Sequence, residues 1–453
     1  MVLVRDHVVF RGSASAMPYS TLQCKSGVIQ YKGAPRVIAG STDTLGLAAH
    51  NRHRGSMLPW KKRDNDVTYF ARTTFRNRGR LVGIRRGDRR SHCYVIGKTG
   101  TGKSTLLKTF IRQDLKGGEG LALVDPHGDL TEEILREIPK DRAGDLIYFD
   151  ASSPQPLGFN PLASIPQEQR ALAASGILEI FNKLWIDSWG PRLEHILRNS
   201  FHALLDYPDA TMADILRLLT DKEFRIAVAR SSRNEPVRQF WLREFEGYPP
   251  RLRAEAIAPV QNKVGAFLGN PFVNRILTQV RSGFNPRTAM DTGKILLVNV
   301  AKGKIGEDAS TLLGALLVSS LGLAALSRSN KPEWGRRDFY LYLDEFHNFT
   351  TPSLVTLLSE LRKYRLNLIL AHQFLSQLEL SIRDAILGNV GTLICFRVGS
   401  ADAEVLEREF LSRFVIRDIV NLPNYEVVIK LLIDGAMTLP FSARSLSPNE
   451  PID

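Results

Sequence analysis

Cysteine is scarce in this chain: three among 453 residues, at Cys24, Cys93 and Cys395. Their wide separation excludes a disulfide framework and any Cys-rich metal or redox spacing, and leaves reduced thiols in a cytosolic protein as the expectation. An apolar leader with a cleavage site is also missing at the N-terminus, so no secretory signal is expected. One run, Ala309–Ser327, is free of charge, but Ser, Thr and Gly interrupt it and Glu307 and Asp308 precede it. Strand-like segments flank it on both sides, so a helix buried in an α/β core is expected there rather than a membrane span. No internal repeat is visible. Glutamate is absent from residues 1–91, which carry 18 Lys and Arg against 5 Asp, whereas the rest of the chain carries 42 of each sign. The net charge of +13 therefore belongs to that one segment. Such a block suits contact with a polyanion, and competes with a plain solvated extension.

What is present is ordinary globular material, 43% hydrophobic and 24% charged, with length for two or three domains. Residues 1–66 show neither a period of 2 nor one of 3.6, and read as loosely structured or as a small β-rich module. The pattern sharpens at residue 92. Apolar strands are expected at 92–96, 121–124 and 146–149, separated by helices with Leu106, Leu107, Phe110, Ile111 and Leu115 on one face and Leu130, Ile134, Leu135 and Ile138 on the next. Strand alternating with helix implies a parallel sheet with crossover helices. Pro154, Pro156, Pro161 and Pro166 break the pattern, and helical stripes follow, such as Leu193, Ile196, Leu197, Phe201, Leu204 and Leu205. Strands resume at 295–300, 339–343, 366–370 and 392–396, with a helix capped by Thr351-Pro352 and a terminal hairpin about Asp434-Gly435. The expected fold is α/β, with a RecA-like domain (67–160 and 286–453) interrupted by an all-α insertion (161–285).

Gly97-Lys98-Thr99-Gly100-Thr101-Gly102-Lys103-Ser104, followed by Thr105, satisfies the P-loop pattern at every constrained position, between a buried strand and an amphipathic helix. Glycines let backbone N–H groups converge on phosphate oxygens at the positive end of a helix. Lys103 then neutralises phosphate charge, and the Ser104 hydroxyl is a ligand for Mg2+ with ATP. The apolar strand Tyr340–Leu343 ends in Asp344 and Glu345. Asp344 is expected to hold the metal through water and Glu345 to polarise the attacking water. A glutamate in that place argues for hydrolysis. Asp125 and Asp129, just past the second strand, either help position metal or water or belong to a Pro/Gly turn that ends the strand. Gln373 follows the strand at 366–370, where an amide either senses the γ-phosphate or caps a helix. Arg362, in the cluster Arg362, Lys363 and Arg365, is a candidate arginine finger toward a neighbouring subunit, or simply complements a helix dipole. Arg397 is a second candidate. In the basic segment Arg76, Arg78, Arg80, Arg85 and Arg86, interleaved with Tyr69, Phe70 and Phe75, suit DNA backbone and base contact.

As a set, the P-loop, the Leu123–Asp129 run, the helical insertion, Leu343-Asp344-Glu345-Phe346 and Ala371-His372-Gln373 resemble the HerA/FtsK superfamily. Within it the chain is most similar to TraG/TraD-type coupling ATPases of conjugative DNA transfer. The resemblance implies a homohexameric ring that pumps DNA with ATP hydrolysis, and it assigns Lys103, Ser104, Asp344, Glu345 and Gln373 the roles argued above. Where coupling proteins carry Gly-Arg-Lys-Phe, this chain has Leu361-Arg362-Lys363-Tyr364, which favours Arg362 as the finger. Implied partners are DNA with secretion-system components or a relaxase, or a nuclease for a HerA-type motor in end processing or phage defence. A secretion-system assembly ATPase that does not move DNA is the third reading. Membrane-bound coupling proteins begin with transmembrane helices, which are not recognised here, so the expected location is cytoplasmic, peripheral to the inner membrane through partners.

Overall fold

Seven of the apolar runs lie side by side in one sheet, six of them in strands buried along their whole length. The computed structural model describes residues 66–74 and 79–450. The segment 1–65, with Arg76 and Arg78, lies outside the described residues. The strands are β1 (Val67–Thr73), β2 (Leu81–Arg85), β3 (Cys93–Ile96), β4 (Gly120–Asp125), β5 (Leu146–Asp150), β6 (Ile295–Asn299), β7 (Phe339–Leu343), β8 (Leu366–His372), β9 (Thr392–Cys395), β10 (Glu426–Lys430), β11 (Leu432–Ile433), β12 (Ala436–Met437) and β13 (Phe441–Ser445). The large sheet runs β2-β1-β13-β10-β9-β3-β8-β7-β4-β6-β5. From β9 to β5 every neighbouring pair is parallel. From β9 back to β2 every pair is antiparallel.

Period-two alternation sends successive side chains to opposite faces, and both faces are covered. Tyr94, Ile96, Ala122, Val124, Leu341 and Leu343 enter one core, and Cys93, Val95, Leu121, Leu123, Tyr340 and Tyr342 the other. The second core is closed by α1 (Lys103–Lys116), which contributes Leu106, Leu107, Phe110, Ile111 and Leu115, and by α2 (Asp129–Leu135). The first is closed by helices between β5 and β6, among them α3 (Arg170–Leu184), α4 (Pro191–Asp206) and α5 (Pro250–Gly269). The uncharged run forms α6 (Glu307–Leu326), long and apolar enough to cross a membrane. Here it is a core helix: Leu312, Leu313, Leu316, Leu317, Val318 and Leu321 are all buried against α3 and the sheet. Next come α7 (Pro352–Leu361), beginning at the expected proline, and α8 (Ser400–Glu409). Helical layer and sheet form one compact unit within residues 62–453.

Three departures from expectation have physical causes. Residues 67–85, which carry little periodicity, form β1 and the edge strand β2 because β13 offers β1 an antiparallel edge. The terminal hairpin is two nested pairs: β10 pairs with β13, and the short ribbon β11–β12 turns on Asp434 and Gly435, both with positive φ. The third is a correction. Arg86 does not face a solvent-borne polyanion: it is 5% exposed, its two terminal nitrogens lie 2.6 and 2.9 Å from the Glu119 carboxylate, and its Nε is 3.0 Å from Asp338. Arg89 is likewise buried on Asp114 and the Tyr342 hydroxyl, 3.8 Å above the Tyr340 ring. Arg90 joins Asp338, and Arg85 pairs with Asp434 at the ribbon turn. A buried arginine paired with carboxylates is not presented to a phosphate backbone. Much of the described part of the basic segment pins the N-terminal strands to the ATPase core.

Candidate nucleotide site

The P-loop, the acidic pair Asp344-Glu345, Asp125 and Gln373 converge on the C-terminal edge of the parallel strands, where open α/β sheets bind ligands. The P-loop leaves β3, which lies between β9 and β8, and β8 separates it from β7. Gly97 N–H donates to the His372 carbonyl on β8, and Lys98 N–H to the Arg397 carbonyl beyond β9. The loop is thereby fastened to both neighbouring strands. Two of its glycines are obligatory for different reasons. A Cβ on Gly97 would sit 2.5 Å from the Cβ of Phe396, and Gly102, with φ +119, takes a backbone conformation that other residues rarely adopt. Lys103 Nζ is buried and donates to the Gly97 and Lys98 carbonyls at 2.6 and 3.3 Å. Desolvation lowers its pKa, opposed by the nearby Glu345 and Asp344 carboxylates. Thr101 Oγ1 donates to the Lys98 carbonyl, which closes the turn. Ser104, in the first turn of α1, is exposed.

Strand β7 delivers the two acids. Asp344 is 6% exposed, and burial, then Asp125, then Glu345 push its pKa up to about 7 against the pull of Lys103. Its Oδ1 accepts from the Glu345 N–H. Glu345 is 5% exposed and sits at φ 46, ψ 48, a left-handed conformation that costs a non-glycine residue about 1 kcal/mol or more. Gln373 stands at the end of β8, between the P-loop and the acids. Its Nε2 donates to Glu345 Oε1 at 2.6 Å and its Oε1 accepts from Thr99 Oγ1 at 2.8 Å. A continuous hydrogen-bonded line therefore joins the P-loop to Glu345 across the strand between them. The second Glu345 oxygen, Oε2, is buried with no hydrogen-bond partner among the described residues; His347 Nδ1, also unpartnered, lies 3.5 Å away. Burial lowers the His347 pKa to about 4, so the ring is neutral.

The remaining candidates divide. Asp125 is fully buried and its carboxylate accepts from the N–H groups of His127 and Thr131, so it builds the turn into α2 while adding negative charge beside Asp344. Asp129 is exposed in the first turn of α2, where its charge suits the helix dipole. Arg397 is on the P-loop side, but its guanidinium is held by the Leu422 carbonyl and Asn424. Arg362 is exposed just past α7, at the opposite edge of the sheet. Tyr94, which no sequence pattern marks, sets its hydroxyl 2.5 Å from Nε2 of His372, the middle residue of the Ala371–Gln373 motif, beneath Phe346. Nor does a pattern mark Lys183 and Glu179 on α3, which reach the segment after Glu345. Two hydrogen-bonding residues inside an amphipathic helix carry no pattern of their own.

Residues 87–221 match the family model of the helicase HerA central domain, and residues 338–410 that of the TraM recognition site of TraD and TraG. No curated protein matches the chain. Among solved structures, the bacterial conjugative coupling protein TrwBΔN70 is 18% identical, with 82% of this chain and 88% of that chain covered, at a TM-score of 0.57. TrwB in complex with ADP and Mg2+ gives 18% identity, 82% and 90% coverage and 0.58. VirB4 of Thermoanaerobacter pseudethanolicus gives 15%, 85%, 97% and 0.56. The fold is that of RecA-like P-loop ATPases, and both stretches of its divided α/β core resemble the HerA and TraG/TraD kind.

Proposed function

We propose that the chain is an ATP-hydrolysing motor that moves DNA, acting as a homohexameric ring in conjugative or related type IV secretion transfer. The single observation that carries hydrolysis is the Thr99–Gln373–Glu345 line. It ties the carboxylate best placed to take a proton from water to the loop that senses whether phosphate is present. Glu345 Oε2 is the acceptor for that water, because it is buried and unpartnered while Oε1 is held by Gln373. Lys103, inside the loop on two backbone carbonyls, turns from these to β- and γ-phosphate oxygens as ATP enters, and the loop N–H groups orient them. Ser104 and Asp344 would hold Mg2+. A carboxylate raised to about 7 by burial, and further by two neighbouring acids, is a site short of positive charge, so the donor set fits the cation. When bound, Mg2+ neutralises charge on the transferring phosphoryl group. The TrwB solved with ADP and Mg2+ supports a nucleotide with Mg2+ as the ligands.

DNA as the moved polymer rests on the likeness to conjugative coupling proteins and on the basic N-terminal segment, of which Arg80 is the described residue still available for contact. Arg76 and Arg78 extend that proposal. The likeness to VirB4 supports a second reading, a secretion ATPase that moves no DNA. The HerA match supports a motor working with a nuclease. ATPase rates without nucleic acid, then with single- and double-stranded DNA, separate the readings: stimulation is expected of a motor, and its absence favours the VirB4-like role. Co-purification with a nuclease rather than a relaxase would favour the HerA-type role. The chemistry is tested by Glu345→Gln, which should bind ATP normally and turn over about 100-fold more slowly, or worse. Lys103→Ala should lose binding and turnover together. Near-normal hydrolysis by the Gln variant removes Glu345 from the mechanism.

A further inference from the structure

Segment 345–353, which leads from the acidic strand into α7, is gripped by the helical layer. Lys183, in the last turn of α3, donates from Nζ to the carbonyls of His347, Asn348 and Thr350 at 2.5, 3.1 and 3.0 Å. Three carbonyls account for all three ammonium protons. One turn earlier on α3, the Glu179 carboxylate accepts from both Ser353 N–H and Ser353 Oγ, at 2.9 and 2.5 Å. It thus caps the start of α7 from another element, with its charge at the positive helix end. Between these grips, Phe349 lies over Gly314 of α6, where a Cβ would come within 2.2 Å of its ring. On the sheet side Phe346 packs edge-on against Tyr94 and His372. Glu345 itself has a left-handed backbone, which persists only where its surroundings hold it.

We propose that α3 is a strut that positions Glu345: Lys183 and Glu179 hold the segment behind it, so the seating of the helical layer sets the rate of hydrolysis. The inference rests on the reading of Glu345 as the base. Lys183 and Glu179 touch no reacting atom and are positioning residues. A ligand or partner bound on the helical layer that shifts α3 reaches the carboxylate through two hydrogen-bonded contacts, without altering the P-loop. Turnover is thereby controlled separately from ATP affinity.

The test uses the full chain and begins with wild type and Glu345→Gln. Failure of wild type to hydrolyse ATP refutes the ATPase reading itself, and a fully active Glu345→Gln removes Glu345 as the base on which the strut acts. With those controls in hand, Lys183→Met should lower kcat about 10-fold or more, the scale of a displaced catalytic group, while the Kd for a fluorescent ATP analogue changes less than about 3-fold. Lys183→Arg, which keeps charge and donors, should recover most of the rate. In the Glu345→Gln background Lys183→Met should cost no further rate, since a base already absent cannot be misplaced. An unchanged kcat in Lys183→Met overturns the strut. So does a loss shared by affinity and kcat, or a full additional loss in the Gln background. Where Lys183→Met fails to fold, as judged by circular dichroism, Ser353→Ala removes only the hydroxyl that meets Glu179 and is read by the same criteria, with a fall in kcat of about 3-fold expected.

Discussion

His92 shows how much a single buried polar residue decides in this fold. It is 2% exposed and precedes β3, the strand that carries the P-loop. Its Nε2–H donates to the Leu358 carbonyl at the end of α7, and its Nδ1 accepts from the Leu368 N–H on β8. Those two bonds require the neutral ring with its proton on Nε2. Burial lowers the pKa to about 4. The unfolded chain therefore binds a proton at pH 5 that the folded chain refuses, and stability falls as pH drops from above the ordinary histidine value toward 4. For this one group the loss by pH 5 is about 2 kcal/mol. His92→Gln should flatten that dependence, which urea-unfolding midpoints between pH 7 and pH 5 would record; an unchanged slope would mean that the ring is protonated in place. Nothing in the sequence distinguished His92 from an ordinary strand residue, because its partners are backbone groups 266 and 276 residues away. The same limit hid the link from Thr99 to Gln373. Each residue was legible as a candidate from its own motif, but the bond between them depends on β8 lying beside β3.

At the scale of elements, legibility follows burial. The seven parallel strands could be read because strands covered on both faces must be apolar throughout. Helices α4 and α6 could be read because a long apolar stripe or an uncharged run of that length is rarely anything but a buried helix. Strands β1 and β2 were not legible, since most of their residues are only partly buried and arginines dominate the pattern. Those arginines are tested by Asp338, 4% exposed between Arg86 and Arg90. Burial alone would raise its pKa, yet the Arg90 and Arg86 hydrogen bonds and charges hold it below the ordinary carboxylate value. Its contribution is therefore complete above the unfolded carboxylate pKa and is lost as pH falls through the lower folded one. Asp338→Asn should destabilise the protein by about 3 kcal/mol, because Arg86 and Arg90 both lose their charge pairing with a buried carboxylate, although Arg86 keeps Glu119. Denaturant unfolding measures this directly. An effect on DNA affinity with stability intact would instead assign these arginines to the polymer.

At the scale of the whole molecule the open question is how one chain completes its site. Lys103 and Glu345 lie at the C-terminal edge of the sheet, whereas α7 carries the backbone to the N-terminal edge, where Arg362 is exposed just before β8. Strand β7 has five residues, so at about 3.3 Å per residue the two edges are some 16 Å apart. Arg362 therefore cannot serve the P-loop of its own chain. The alternative role, complementing the end of α7, remains open to it, but that role predicts only a small loss. If Arg362 instead meets the nucleotide of a neighbouring copy, Arg362→Ala should bind ATP normally and hydrolyse it slower by a factor on the order of 10³ or more, the value of a finger given in trans. Mixing decides between them. Lys103→Ala subunits have an intact Arg362 and no working P-loop, and Arg362→Ala subunits have the reverse. In mixed rings every Arg362→Ala P-loop that faces a Lys103→Ala neighbour is complete, so activity should return in proportion to such junctions, with subunit exchange verified by native mass measurement. Exchange without recovery would exclude Arg362. Arg397 would then be examined in the same way, although the Leu422 carbonyl and Asn424 already hold its guanidinium within its own chain.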